Sequence, residues 1–77
     1  MYKKDGLTYI MVNVLGHNGY SFMVTTKYSD MNESDILDSC ADKDLFQDAS
    51  DIENAEIETM VDEHDVKFFE GITYNID

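Results

Sequence analysis

The sequence predicts a small α+β domain of order ββαβα, in which an antiparallel sheet, an N-terminal hairpin plus a third strand, packs with one or two helices. Three observations lead there. Two runs rich in β-branched and aromatic residues, Leu7–Leu15 and Tyr20–Tyr28, flank the turn-forming Gly16-His17-Asn18-Gly19. Behind Asn32, a good capping residue, Ile36, Leu37, Cys40 and Ala41 recur with the period of a helix. Alternation with a period of two then returns over Ala55–Met60. The 77 residues make a single compact domain, residues 1–77, near the size at which one hydrophobic core supplies only about 3–5 kcal/mol of net stability.

In the hairpin, Gly and Asn accept the positive φ that tight turns demand, so the tip is read as His17-Asn18 or Asn18-Gly19. Either two-residue register sets odd residues of the first strand beside even residues of the second. One face then carries Tyr9, Met11, Leu15, Tyr20, Phe22 and Val24, and its bulk marks it as the core face. The other carries Ile10, Val12, Val14 and Met23 with Ser21, Thr25 and Lys27. Apolar residues on both faces place the first strand centrally in the sheet, or set its second face against another chain, so a homodimer is one expectation.

Ser29–Met31 leads into Asn32-Glu33-Ser34-Asp35, where Asn32 caps a helix and the acids favour its positive end. This helix runs to Lys43–Phe46, and Leu45 and Phe46 drop into the core. A polar, acid-rich connection, Gln47–Asn54, precedes the third strand, whose Glu56 and Glu58 face solvent; Ile52, Ala55 and Ile57 also share a helical face. Asp62, with Asp65 three residues on, caps a short helix through Phe69 that Val66 and Phe69 anchor and Gly71 closes. Ile72–Ile76 adds an edge strand or a docked tail.

Composition removes several classes of function. The longest apolar run, Ile10–Val12, is far short of the roughly 18 residues of a membrane span. After the opening Met-Tyr-Lys-Lys come Asp5, Gly6 and Thr8 where a signal peptide has its apolar centre. The expectation is a soluble, cytoplasmic protein. Cys40 is the only cysteine, which excludes an internal disulfide or a cysteine-based zinc site and fits a reducing compartment. Its helical neighbours Ile36, Leu37 and Ala41 mark it as a small buried apolar residue rather than a nucleophile. Five tyrosines and four phenylalanines among regularly spaced aliphatics argue for a packed core and against disorder.

Charge is the dominant feature. Between Asp30 and Glu70 lie fifteen of the seventeen carboxylates against two lysines, Lys43 and Lys67, a local net charge of −13 in 41 residues of a chain whose total is −12. Like charge at this density opposes folding by self-repulsion and calls for a reason beyond solubility. It also excludes direct attraction to nucleic acid or to anionic membrane, both polyanions. Acids at Asp42, Asp44 and Glu53 match positions 1, 3 and 12 of an EF-hand loop, but position 5 is Phe46 and position 6 is Gln47 where the turn needs Gly. No metal and no cofactor is therefore expected. His64, within Asp62-Glu63-His64-Asp65, and His17 read as exposed histidines rather than ligands or bases. No catalytic motif is present, and the expectation is a protein that is not an enzyme.

What remains is the acidic surface itself, with Glu33, Asp35, Asp38, Asp42, Asp44, Asp48, Glu56, Glu58, Asp62, Glu63 and Asp65 as candidate contacts to a cationic partner. Duplex DNA carries about one negative charge per 1.7 Å of axis. Carboxylates gathered by folding into one continuous surface offer a similar field to the lysines and arginines of a nucleic-acid-binding groove. The alternative is a small structural or accessory domain whose charge serves solubility and whose apolar second face on the first strand carries the interaction.

In size, charge, low cysteine content and an acid-studded ββα start, the chain resembles the small acidic inhibitors encoded by phages and mobile elements, among them anti-CRISPR proteins and inhibitors of DNA-repair or restriction enzymes. The resemblance implies a stoichiometric, DNA-mimicking inhibitor of a nucleic-acid-handling enzyme such as a CRISPR effector. It rests on no motif, so it assigns no role to a particular residue.

Overall fold

The computed structural model describes residues 2–16, 19–59, 61–69 and 71–77; the His17-Asn18 tip, the Met60 end of the third strand and Glu70 lie outside these. Five strands form one mixed sheet: β1 (Lys3–Lys4), β2 (Leu7–Val14), β3 (Tyr20–Thr26), β4 (Ala55–Glu58) and β5 (Thr73–Asn75). One edge of β2 pairs antiparallel with β3. Its other edge takes β1 at one end and β4 at the other, both antiparallel, while β5 lies parallel to β3 on the far side. Two α-helices, α1 (Glu33–Asp42) and α2 (Glu63–Phe68), and a 3-10 helix (Ala49–Asn54) complete the α+β fold. The expected ββαβα order is present, with β1, β5 and the 3-10 helix added to it. No described helix is long and apolar enough to cross a membrane.

The turn chemistry differs from expectation in an instructive way. Asp5 and Gly6, with φ of 56° and 80°, form the two-residue turn that pairs Lys4 with Leu7. Positive φ at both central residues is the geometry that Asp-Gly favours, because its twist matches the strands it joins. The long hairpin instead pairs Val14 with Tyr20, leaving Leu15–Gly19 as a five-residue connection rather than a two-residue turn.

That extra length corrects the register. Even residues of β2 face even residues of β3, as in Ile10–Val24 and Val12–Phe22, so Phe22 and Val24 lie on the core face as expected while β2 turns the opposite face to the core from that expected from side-chain bulk. Ile10, Val12, Val14, Phe22 and Val24 join Ile36, Cys40, Phe46 and Ile76 in one buried cluster. Phe22 anchors it, meeting Phe46 and Tyr74 edge-on at ring-centroid distances of 5.7 and 6.3 Å. Tyr9, Met11 and Asn13 fall on the other face with Ser21, Met23 and Thr25.

Each helix is set by its ends. The Asn32 side chain accepts from the Asp35 N–H at 2.8 Å, and Ile36 and Cys40 are the buried positions of α1. After α1, Asp44 takes a left-handed conformation at φ 58°, and the chain turns back so that the Leu45 N–H reaches the Cys40 carbonyl at 3.0 Å and Phe46 is buried. Asp62 and Asp65 form the expected reciprocal cap of α2 at 2.9 and 3.1 Å. The end of α2 is not a glycine cap: Phe69 leaves the helix in an extended conformation. A Cβ at Gly71 would lie 2.5 Å from the far end of the Phe69 ring, a half-buried side chain that can swing aside.

β3, β4 and β5 point the same way, so the chain makes two parallel crossovers, from β3 to β4 through α1 and from β4 back to β5 through α2. They step across the sheet in opposite directions, and right-handed crossovers of that kind use opposite faces. Burial agrees. Met23 on the second face is fully buried and Val61, between β4 and α2, is 2 % exposed, yet neither belongs to the cluster under α1.

Candidate functional site

Along α1, Asp35, Asp38 and Asp42 recur at i, i+3 and i+7, which places them on one stripe opposite Ile36 and Cys40. The stripe spans about 10 Å of helix axis. Glu33 lies in the first turn, beside the positive helix end. Asp44 and Asp48 follow in the exposed connection. Asp48 begins the 3-10 helix and accepts from the Ser50 N–H at 2.9 Å and its hydroxyl at 2.7 Å. These bonds, the backbone one first, hold its carboxyl below the ordinary Asp value.

A buried-side anchor keeps this acidic connection in place. The Tyr20 hydroxyl donates to Asp51 Oδ2 at 2.5 Å and accepts from the Gln47 N–H at 2.9 Å, and Asp51 Oδ2 also accepts from the Asp48 N–H at 3.1 Å. Burial, then the bond to Asp51, raises the Tyr20 pKa. One phenol thus ties the start of β3 to both ends of the Gln47–Asp51 turn. A cleft of about 390 Å³ lies beside it, lined by Leu15, Tyr20, Asp48, Asp51 and Asn54 among others.

The remaining predicted contacts lie elsewhere. β4 pairs Glu56 with Asn13 and Glu58 with Met11, so both glutamates project to the second face, while Ile57, beside Val12, packs against the core. Asp62, Glu63 and Asp65 belong to α2 and its cap. In chain order the band of predicted contacts runs from α1 through the connection after it and β4 to α2. All eleven residues are exposed except Asp65, which is half-buried.

The lysines do little to neutralise this band. Among the described residues the one ion pair joins Lys67 to Glu63 at 3.2 Å within α2. The Lys43 ammonium donates to the Asp77 carbonyl at 3.4 Å, and the Lys27 ammonium sits 5.1 Å from the Tyr28 ring centroid.

Other sequence candidates resolve simply. Phe46, at the failed fifth position of the calcium-like window, is a core residue, and no described group of three or more His, Cys, Asp or Glu side chains is placed to hold a metal ion. Cys40 is fully buried, and burial pushes its thiol up to about 11. Ile10, Val12 and Val14, proposed from sequence as a second-face dimer surface, are 0–5 % exposed inside the chain's own core. Ile36 and Cys40 of α1 pack against these three residues within the chain.

Two features escaped the sequence reading. One is the Tyr20–Asp51 anchor, a contact across 31 residues with no local signal. The other is Phe68. It is 71 % exposed and lies tilted against exposed His64 with ring centroids 4.5 Å apart; its i, i+4 spacing from His64 was the available clue. Neither a family model, a curated protein nor a solved structure matches this chain.

Proposed function

We propose that this protein is a stoichiometric inhibitor that imitates nucleic acid and occupies the basic nucleic-acid-binding groove of a partner, such as a CRISPR effector or another DNA-handling enzyme, in the cytoplasm of the cell where that enzyme works. The observation that carries the reading is the exposed, largely unpaired carboxylate band on a chain of net charge −12. Asp48, Asp62 and Asp65 also serve as caps and Glu63 pairs with Lys67, while Glu33, Asp35, Asp38, Asp42, Asp44, Glu56 and Glu58 are exposed. Held on two helices, a 3-10 turn and a strand, the carboxylates are ordered before binding, which lowers the ordering cost of association. No catalytic step is assigned: the protein acts by occupancy.

Inhibition of this kind has a distinct signature. Complementary charge speeds encounter and is screened by salt, so affinity for the partner should fall steeply between low and high ionic strength. The test is to recover what binds the tagged protein in lysate, measure affinity across a salt series, and add DNA as competitor. Displacement by DNA together with a steep salt dependence is expected. Replacing Asp35, Asp38 and Asp42 together by Asn should weaken binding and flatten that dependence. Affinity indifferent to salt and to DNA would refute the mimic.

A further inference from the structure

The outer edge of β4 is an open strand edge. β4 bonds to β2 on one side, and among the described residues no strand lies on the other. The Leu15 N–H donates to the Asn54 carbonyl at 2.8 Å, which makes Leu15 and Asn54 a bonded pair. Bonded pairs of an antiparallel ladder recur at every second residue, so Asn13 with Glu56 and Met11 with Glu58 come next. The backbone groups of Ala55 and Ile57 therefore point away from β2. The Ala55 N–H turns back to the Ile52 carbonyl, which leaves the Ala55 carbonyl and both polar backbone groups of Ile57 without a backbone partner among the described residues. The Ile57 side chain packs against the core, so these groups are held in place and ready to receive another strand.

The side chains decide which strand fits. Glu56 and Glu58 are both exposed and stand on one face of β4 about 7 Å apart. Their neighbours across the ladder are Asn13 and Met11, neither charged, and neither glutamate has an ion pair among the described residues. The open side is where a cross-strand counter-charge can be added. A second copy added antiparallel about Ile57 would set Glu56 against Glu58 twice over, and like charges directly opposite destabilise a ladder. A strand with Lys or Arg at alternate positions meets the same two glutamates with opposite charge, so the edge rejects its own copy and favours a cationic one. Resting on the reading of this protein as the ligand of a basic partner, we propose that the β4 edge takes an extended segment of that partner, bearing Lys or Arg at alternate positions, as a further strand of the sheet. Backbone pairing gives the inhibitor a hold on its target that the imitated nucleic acid lacks.

Two synthetic peptides of equal positive charge test this. Both alternate lysine with threonine, and one is N-methylated at its threonines, the residues whose N–H groups would face Ile57 when the lysines lie opposite the glutamates. Each is titrated into the full chain at low salt while amide resonances and amide exchange are followed. The unmethylated peptide should bind about tenfold more tightly, by the worth of the backbone bonds that methylation removes, and should slow exchange of the Ile57 N–H. Glu56→Gln with Glu58→Gln should weaken its binding severalfold without lowering the melting temperature; undiminished binding would overturn the inference. Equal affinities for the two peptides, with Ile57 exchange unchanged, would mean that charge alone is at work, which overturns this inference and leaves the acidic reading intact. If neither peptide binds, both fall. Protection of the Ile57 N–H that grows with the concentration of the free protein would give the edge to a second copy and overturn the inference as well.

Discussion

Tyr20 shows how much one side chain organises here. Its hydroxyl bridges β3 to the turn that carries Asp48 and Asp51, and Tyr20→Phe removes one donor and one acceptor at once. A loss of about 1–2 kcal/mol is expected in urea unfolding. The same group predicts a pH effect. Because its folded-state pKa lies above the ordinary 10.0, the folded chain holds the proton more tightly than the unfolded one. That contribution is complete below pH 10 and disappears as pH rises through the folded value, so the fall in stability at high pH should be shallower in Tyr20→Phe. Asp48 works in the opposite sense. Its depressed pKa contributes stability above the ordinary 3.8 that is lost as pH falls through the folded value, and Asp48→Asn should lose that sensitivity. Cys40 combines burial with a pKa of about 11. A thiol reagent at pH 8 should therefore leave the native protein unlabelled over a period that labels the urea-unfolded chain fully.

At the scale of elements, stability is concentrated in ends and turns. Asn32→Ala removes the first-turn acceptor of α1 and should destabilise by about 1 kcal/mol, read as a lower urea midpoint with unchanged slope. Gly6→Ala forces a side chain into φ of 80° and should cost about 1–2 kcal/mol, loosening β1 without touching the core. Gly71→Ala asks the Phe69 ring to move from a position a Cβ would crowd at 2.5 Å. The expected result is displacement of that half-buried ring, seen as altered Phe69 resonances, with little change in the melting temperature. The two faces of the sheet differ in their cover. Under α1 the cluster is continuous from Ile10 to Ile76, whereas the second face rests on Met23, Val61 and a six-residue helix, so amide exchange should be faster in α2 than in β2 and β3.

For the whole molecule the central quantity is the net charge of −12, held on a chain whose principal extents are 32 × 24 × 17 Å. Carboxylates crowded on so small a body repel one another, and screening relieves that repulsion. The melting temperature should rise as salt is added from very low levels, while affinity for a basic partner falls over the same range. A melting temperature that fell instead would argue against a repulsive surface. Phe22, which touches Phe46 and Tyr74 across the core, sets the other limit. Phe22→Ala should cost about 3–5 kcal/mol, comparable to the whole stability available to a domain of this size, and should leave the protein unfolded by circular dichroism.

Reading the chain residue by residue reveals whatever is decided locally. Asn32 and Asp62 mark their helices because a cap bonds to its own next turn, and Ile36 with Cys40 mark the buried side of α1 because a helix repeats within a few residues. The gathering of acids between Asp30 and Glu70 is likewise visible in the sequence. Asp5-Gly6 carried an equally local turn signal that outranks Gly16-His17-Asn18-Gly19, where length allows several connections. What the sequence leaves open is parity. A one-residue change in the hairpin register exchanges the two faces of β2, so the choice of Ile10, Val12 and Val14 over Tyr9, Met11 and Leu15 as core belongs to packing against Ile36, Cys40 and Phe46, partners far along the chain. The placing of the acidic residues was decided the same way: the crossovers from β3 to β4 and from β4 to β5 run in opposite directions across the sheet, and the carboxylates go where those crossovers take them.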